Sequence, residues 1–241
     1  MNTENTPTPE GKKNNRGNRD TTRRLVGIAV FSAFSFVVTL VCQIIPPVQG
    51  FLSLDMKDAV IAMASFIYGP TSAIVIAFLV AFIELFTIST TGWYGFIMNF
   101  VSSAVFSLVA SLIYRKLKSI NGALIGFFAA IAATTATMLL LNIFVTPLYM
   151  AQIGVPLDTA GVIEMLPTVL LPFNFSKAML NSAIAMMIYK PLSIALRRIG
   201  IASGEAKSMT FNRGTVTILV VGSILLTAAV IILLIIPYLA G

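Results

Sequence analysis

Seven apolar segments make up most of this chain, and they constrain its fold more than any other feature. A helix needs about 20 mainly apolar residues to cross a hydrocarbon layer of about 30 Å. The segments are 25–45, 58–68, 71–88, 94–114, 121–150, 167–196 and 215–239. All except the second, which is short for a full crossing, are long enough to span. We therefore predict an all-α polytopic membrane bundle, with a six-helix core over residues 25–198 and a seventh, C-terminal transmembrane helix within residues 215–241.

The composition agrees with a membrane location and disfavours several classes of function. Hydrophobic residues form 57% of the 241-residue chain and charged residues 10%, against about 45–50% and about 25% in soluble domains. The sequence has no histidine, one cysteine (Cys42) and no P-loop motif for binding phosphate. We therefore expect no catalytic residues, no metal, no resident cofactor and no ATP hydrolysis by this chain. An intramembrane enzyme acting on lipid remains an alternative, although few acidic groups are available to it.

The positions of the basic residues predict how the chain is oriented in the cell membrane. Of the 16 Lys and Arg residues, six lie within 1–24, three within 115–118 and five within 190–213. If the spans alternate, these groups share one side, and the positive-inside rule makes that side cytoplasmic. We predict a disordered cytoplasmic tail at 1–24, a cytoplasmic linker at 199–214 and an extracellular C-terminus. This arrangement accounts for the net charge of +7 without a nucleic-acid partner.

Three polar residues share one face of the sixth apolar segment. Asn174, Lys177 and Asn181 are spaced i, i+3 and i+7, so a helix places them in one row. A lysine at the centre of a span costs about 2.5 to 3.5 kcal/mol on insertion scales. Either Lys177 snorkels outward while the two amides bond neighbouring helices, or the row faces a ligand pocket open to the outside.

Other polar residues within the spans are further candidates. Asn142 is a helix–helix contact or a ligand contact, and Glu84 either pairs with Lys177 or approaches the interface. Asn99 lies near the outer end of the fourth segment. Trp93 and Tyr94, which come just before it, are typical of the interfacial aromatic belt, with stacking on a ligand ring as the alternative.

Small residues four apart allow helices to approach closely. We interpret most of these rows as internal packing, although a partner could use such a face. The rows are Ala29 and Ala33; Ser103, Ser107 and Ser111; and Gly122, Gly126 and Ala130.

Several segments, taken in order after the basic tail, resemble one transporter family. They are AVFSA from Ala29, FLSLDMKD from Phe51, FIYGP from Phe66, GWYGFIMNF from Gly92, NIFVTPLY from Asn142 and FNFSKAMLNS from Phe173. Together they resemble the riboflavin-specific substrate-binding S components of energy-coupling-factor (ECF) vitamin transporters. The resemblance covers residues 23–198 and leaves the seventh segment outside it.

The resemblance implies a six-helix bundle that binds vitamin from outside and docks on a membrane coupling subunit driven by two ATPase subunits. Ala29 and Ala33 match the motif by which the first helix meets that subunit, unless the seventh helix covers them. The resemblance assigns other residues to the ligand. Those at the isoalloxazine ring are Asn142, Asn174 and Lys177, and those of the closing loop are Leu52, Leu54 and Asp55.

The chemistry of riboflavin fits these residues. Asparagine amides match the carbonyl and N–H edge of the ring, lysine donates to a carbonyl or ring nitrogen, and apolar side chains cover the dimethylbenzene edge. We expect Asn99, Tyr94 and Asn181 to belong to the same site. The alternatives are the same fold binding flavin mononucleotide (FMN) or another heterocyclic vitamin, and a membrane assembly protein without a ligand.

Overall fold

The computed structural model describes residues 9–117, 119–198 and 213–240, and its regular structure there is helical apart from one isolated bridge between Val48 and Leu52. Within these ranges lie eight α-helices and one π-helical segment, joined by loops. They are α1 Pro9–Cys42, α2 Lys57–Tyr68, α3 Pro70–Thr87, α4 Gly92–Leu117, α5 Ile120–Gln152, α6 Thr159–Met165, the π-helical segment Leu166–Leu170, α7 Leu171–Arg198 and α8 Arg213–Ala240. The all-α prediction is confirmed.

Among the residues that the structure describes, five helices are long and apolar enough to cross a membrane. They are Thr21–Cys42 within α1, α3, α4, α5 and Arg213–Tyr238 within α8. Helix α2 has 12 residues, so it rises about 18 Å and does not span the bilayer alone. Helix α7 has 28 residues and is long enough to cross a membrane. It carries the predicted polar row, however, and is not among these five helices. The structure also contains α6, a short helix that we did not predict between the fifth and sixth segments.

Helix α1 begins earlier than the predicted first span. It starts at Pro9, so residues 9–24 are helical where we expected a disordered tail; residues 1–8 lie outside the described ranges. A span that is already helical extends by one hydrogen bond per added residue, which costs less than starting a new helix. Most of the linker predicted at 199–214 also lies outside the described residues.

Helix α2 lies at the centre of the bundle and contacts α1, α3, α4 and α7. Its residues from Lys57 to Ser65 are all buried. A helix buried on all sides is expected to be apolar all round, and the run from Ala59 to Ala64 meets that expectation. The two charged residues at its start, Lys57 and Asp58, are exceptions, and Lys57 forms an ion pair with Glu84 of α3.

The rows of small residues behave in two ways. Ser103, Ser107 and Ser111 are buried, and Gly126 approaches the backbone of Ala110 so closely that an added Cβ would lie 2.8 Å from the Ala110 oxygen. Gly126 thus packs α5 against α4, whereas the serine row faces α2: Ser103 donates to Asp58, and Ser65 donates to the Ser107 carbonyl. Both rows are internal packing, as predicted. Ala29 and Ala33, by contrast, are both exposed on α1. Helix α8 packs mainly along α7, with smaller contacts to the π-helical segment and α5, so it does not cover them.

Candidate functional site

A chamber lies at the end of the bundle where α1 and α5 finish and α4 and α7 begin. Its lining comes from α4, α5, α7 and the loop between α1 and α2, and it has a free volume of about 100 Å³. The lining residues are Phe51, Leu52, Ser53, Thr91, Tyr94, Gly95, Met98, Asn99, Met138, Asn142, Val145, Thr146, Tyr149, Phe173, Asn174 and Lys177. Eight of these sixteen residues are apolar or aromatic, and the others supply three hydroxyls, three amides, one ammonium group and a glycine. Apolar walls with a few placed polar groups are usual in a small-molecule site.

Helix α7 brings two polar side chains of the predicted row to the chamber. Asn174 and Lys177 both line it, and they are buried at 5% and 8% relative exposure. Asn174 donates from Nδ2 to the Leu170 carbonyl at 2.8 Å, an oxygen of the π-helical segment. Lys177 therefore does not snorkel outward, and its position agrees with the alternative in which the row faces a pocket.

Helix α5 contributes Asn142, whose amide is held in place by its own helix. Its Nδ2 donates to the Met138 carbonyl at 2.7 Å, and Thr146 donates to its Oδ1 at 2.8 Å. These bonds orient the side chain within α5, in contrast to the helix–helix contact that the sequence also allowed. It lines the chamber opposite α7.

The loop between α1 and α2, residues 43–56, covers part of the chamber, and we call it the cap loop. Its tip is a tight turn in which Val48 and Leu52 exchange backbone hydrogen bonds of 3.0 Å each. Gln49 and Gly50 take positive φ values of 51° and 77°, and glycine adopts such a value without strain. The turn directs Leu52 inward, where it is 8% exposed.

Four charged groups form a buried ion-pair chain beside the chamber. Lys177 Nζ lies 2.8 Å from Asp55 Oδ2, the same oxygen lies 3.6 Å from Lys57 Nζ, and Lys57 Nζ lies 2.7 Å from Glu84 Oε2. The chain alternates in sign and is neutral as a whole, which offsets the cost of burying charge. Burial opposes ionisation of Asp55, but the neighbouring Lys177 and Lys57 ammonium groups lower its pKa below the ordinary value.

One carboxylate oxygen of Asp55 accepts no hydrogen bond. Its Oδ2 meets Lys177, whereas Oδ1 is buried without a hydrogen-bond partner in the structure. A buried acceptor without a donor is costly. Asp55 does not itself line the chamber but lines a neighbouring cavity.

Glu84 does not pair with Lys177. It accepts hydrogen bonds from Lys57, Thr39 at 3.0 Å and Asn99 at 3.1 Å. Lys57 is a site residue that the sequence-based prediction missed, although its position between two aspartates in LDMKD marked it as a charge needing a partner. Asn99 links the two parts of the site, because it also lines the chamber.

Two predicted ligand contacts have other roles. Asn181 is fully buried away from the chamber; it accepts from Ala59 N at 2.9 Å and donates to the Asp55 carbonyl at 2.9 Å. It therefore fastens the cap loop and the start of α2 to α7. Leu54 packs on the apolar core beneath the loop. Together with Asp55 it lines a second cavity of about 160 Å³, which adjoins the chamber at Ser53, Thr91 and Asn99.

The two aromatic residues at the start of α4 differ in environment. Trp93 is 63% exposed and contacts Phe96 edge to face, which fits the interfacial belt. Tyr94 lines the chamber and lies edge to face with Tyr149 of α5, with 6.3 Å between ring centroids.

Comparison with known proteins identifies the family. Residues 23–189 match the sequence model of the family described as ECF transporter, substrate-specific component. The riboflavin transporter RibU of Staphylococcus aureus (strain TCH60) is 30% identical, with 76% of this chain and 96% of that protein covered. The riboflavin transporter FmnP of Bacillus subtilis (strain 168) is 24% identical, with 69% and 90% covered.

The fold leads to the same family. The solved S component of a bacterial ECF transporter superposes with a TM-score of 0.61 at 26% identity, over 74% of this chain and 99% of that one. The chain is thus a multi-pass membrane transport subunit and not an enzyme. It belongs to the family of substrate-specific components of ECF transporters.

Proposed function

We propose that this chain captures riboflavin from the outer side of the cell membrane and delivers it inward together with an ATP-driven ECF coupling module. The observation that carries the proposal is the chamber. It brings Asn142, Asn174 and Lys177, which are distant in sequence, to one lining surface. Two relatives that the chain covers nearly end to end are named as riboflavin transporters, which supports this choice of ligand.

In this proposal the isoalloxazine ring enters between α5 and α7. The two asparagine amides face its carbonyl and N–H edge, and Lys177 donates to a ring carbonyl or nitrogen. Leu52, Phe173 and the other apolar lining residues cover the dimethylbenzene edge. Each amide NH2 has a second N–H beyond the one bonded within its own helix. A ligand without matching acceptors would leave these buried N–H groups unpaired, which is the physical source of selectivity.

Ligand entry requires the chamber to widen. Its free volume of about 100 Å³ is below the range of about 300–1,000 Å³ typical of small-molecule pockets. We propose that the cap loop moves outward to admit riboflavin and closes again over it, with Leu52 facing the ligand. Lys177 then exchanges part of its contact with Asp55 for contacts to the ligand.

The coupling partners bind elsewhere on the molecule. We propose that the exposed Ala29 and Ala33 on α1 contact the membrane coupling subunit, because small side chains permit close helix approach. Two ATPase subunits then supply the energy, and this chain hydrolyses no ATP. The basic-residue distribution supports a cytoplasmic N-terminus. In this proposal the chamber then opens to the outer side and the C-terminus lies outside.

A ligand titration tests this proposal. Purified protein in lipid nanodiscs is titrated with riboflavin, FMN, thiamine and biotin, and quenching of flavin or Trp93 and tyrosine fluorescence is followed. We expect saturable binding of riboflavin with one site per chain and no binding of thiamine or biotin. Tighter binding of FMN than of riboflavin would indicate that the substrate is a flavin phosphate. Absence of saturable binding of any flavin would overturn the proposal.

A further inference from the structure

Helix α8 lies beyond the family match, which ends at residue 189, and its packing gives it a definite place in the molecule. Its buried residues recur at intervals of three, four, three and four, followed by one interval of seven, which is the spacing of one seam of a packed helix pair. They are Thr215, Ile218, Gly222, Leu225, Ala229 and Ile236. The opposite side of α8 is exposed and apolar, as expected of a lipid-facing surface.

The seam holds α8 tightly against α7. A Cβ at Gly222 would lie 3.3 Å from the Ala183 carbonyl and 3.2 Å from the Met187 side chain. Ala229 is fully buried, and Leu225 belongs to the main apolar core together with Ala183. Small residues on both helices therefore allow a close approach, which fixes the position of α8 along α7.

The far end of α8 reaches the chamber region. Ile236 is fully buried in a cluster that contains Leu170 of the π-helical segment and the two chamber-lining residues Leu52 and Phe173. Leu233, one turn earlier, packs on the same cluster. The helix thus supports, from behind, residues of the cap loop and of α7 that face the chamber.

We infer that α8 is a structural part of the substrate chamber: its outer end, through Ile236, holds the cap loop and the π-helical segment in the closed arrangement. Ile236 is a positioning residue and touches no ligand. The six-helix core lacks this support on its own, so the α8 contacts set how readily the cap loop opens. The inference deepens the proposed function, because the cap loop governs access of riboflavin.

The test compares two isoleucine substitutions on the same helix. Ile236→Ala removes the buried contact, and Ile231→Ala removes the same atoms from a position that is 51% exposed. Hydrogen–deuterium exchange of residues 48–52 is measured on each unliganded, full-length protein in nanodiscs. The amides of Val48 and Leu52 are informative, because they bond each other across the turn. We expect exchange in this segment to accelerate about 3- to 30-fold in Ile236→Ala and to stay at the wild-type rate in Ile231→Ala.

Two further measurements separate support of the cap loop from general loss of structure. In the first, hydrogen exchange in α4 must stay at the wild-type rate. If exchange in α4 accelerates in Ile236→Ala, the milder substitution Ile236→Val is used instead. That variant must show a smaller acceleration confined to residues 48–52. Riboflavin dissociation should accelerate over a similar range in the same variant. Equal exchange of the cap loop in wild type, the Ile236 variant and Ile231→Ala would overturn the inference. Because the exchange readout needs no ligand, it decides the inference even if riboflavin binding itself fails.

Discussion

Lys177 faces two competing partners. In the ligand-free structure its ammonium lies 2.8 Å from Asp55, and in the proposed complex it also donates to the flavin ring. Asp55 retains Lys57 as a second neighbour at 3.6 Å, so it is not left as an isolated buried charge when Lys177 turns to the ligand. The ion-pair chain therefore allows Lys177 to exchange Asp55 for the ligand without leaving a buried charge unpaired.

Substitution of Lys177 should weaken riboflavin binding strongly. We expect Lys177→Met to reduce the binding free energy by about 2–5 kcal/mol, because one member of a buried charge pair and a ligand donor are both lost. Fluorescence titration in nanodiscs measures the effect. Lys116→Met, which changes an exposed lysine at the other end of the bundle, is the control and should bind as the wild type does. Equal affinities of the two variants would exclude Lys177 from the site.

Asn181 should act on stability and not directly on the ligand. We expect Asn181→Leu to lower the free energy of unfolding by about 1–3 kcal/mol, because the amide of Ala59 and the carbonyl of Asp55 lose their partner while buried. Thermal unfolding without ligand measures this loss, with Asn121→Leu at an exposed helix start as the control. Normal stability combined with lost riboflavin affinity would instead make Asn181 a ligand contact.

At the scale of helices, the sequence predicted most of the elements but not how their polar groups pair. Apolar length gives the spans directly, and the i, i+3 spacing of Asn174 and Lys177 gives their shared face. The contact between Lys57 and Glu84 joins two helices, so it depends on packing that local pattern does not specify. Helix α6 was missed because it has only seven residues, too few to show a helical period.

The approach of α4 and α5 depends on Gly126. We expect Gly126→Leu to destabilise the bundle by about 1–3 kcal/mol, because the new side chain meets the Ala110 backbone and forces the helices apart. Ala132→Leu adds a side chain of the same size to the exposed face of α5 and should be neutral. Chemical unfolding in detergent compares the two. If both variants unfold with the wild-type free energy, the close approach of these helices is not required for stability.

At the scale of the whole molecule, substrate capture and coupling occupy separate surfaces in the proposed function. The chamber is built from α4, α5, α7 and the cap loop, whereas the exposed alanines lie on α1. Helix α8 covers α7 and leaves α1 open. The sequence alone did not reveal which helix α8 would cover, because its seam of small and apolar residues fits several helix faces.

This separation predicts a variant that binds but does not transport. We expect the double substitution Ala29→Leu and Ala33→Leu to keep the wild-type riboflavin affinity and to lose at least about tenfold in association with the coupling subunit, because larger side chains prevent close helix approach. Co-purification with the coupling module and vesicle uptake measure the second effect. Ala132→Leu on the lipid-facing side of α5 is the control. Unchanged co-purification would place the docking surface elsewhere.

The central claim is that the chamber holds a flavin, and the absorbance spectrum of the purified protein tests it most directly. The full-length chain is expressed in cells supplied with riboflavin, purified in mild detergent and washed free of loose ligand. We predict yellow protein with a flavin absorption band at close to one flavin per chain, and a band lost in Lys177→Met. Colourless wild-type protein that takes up no riboflavin when the vitamin is added back would contradict the account.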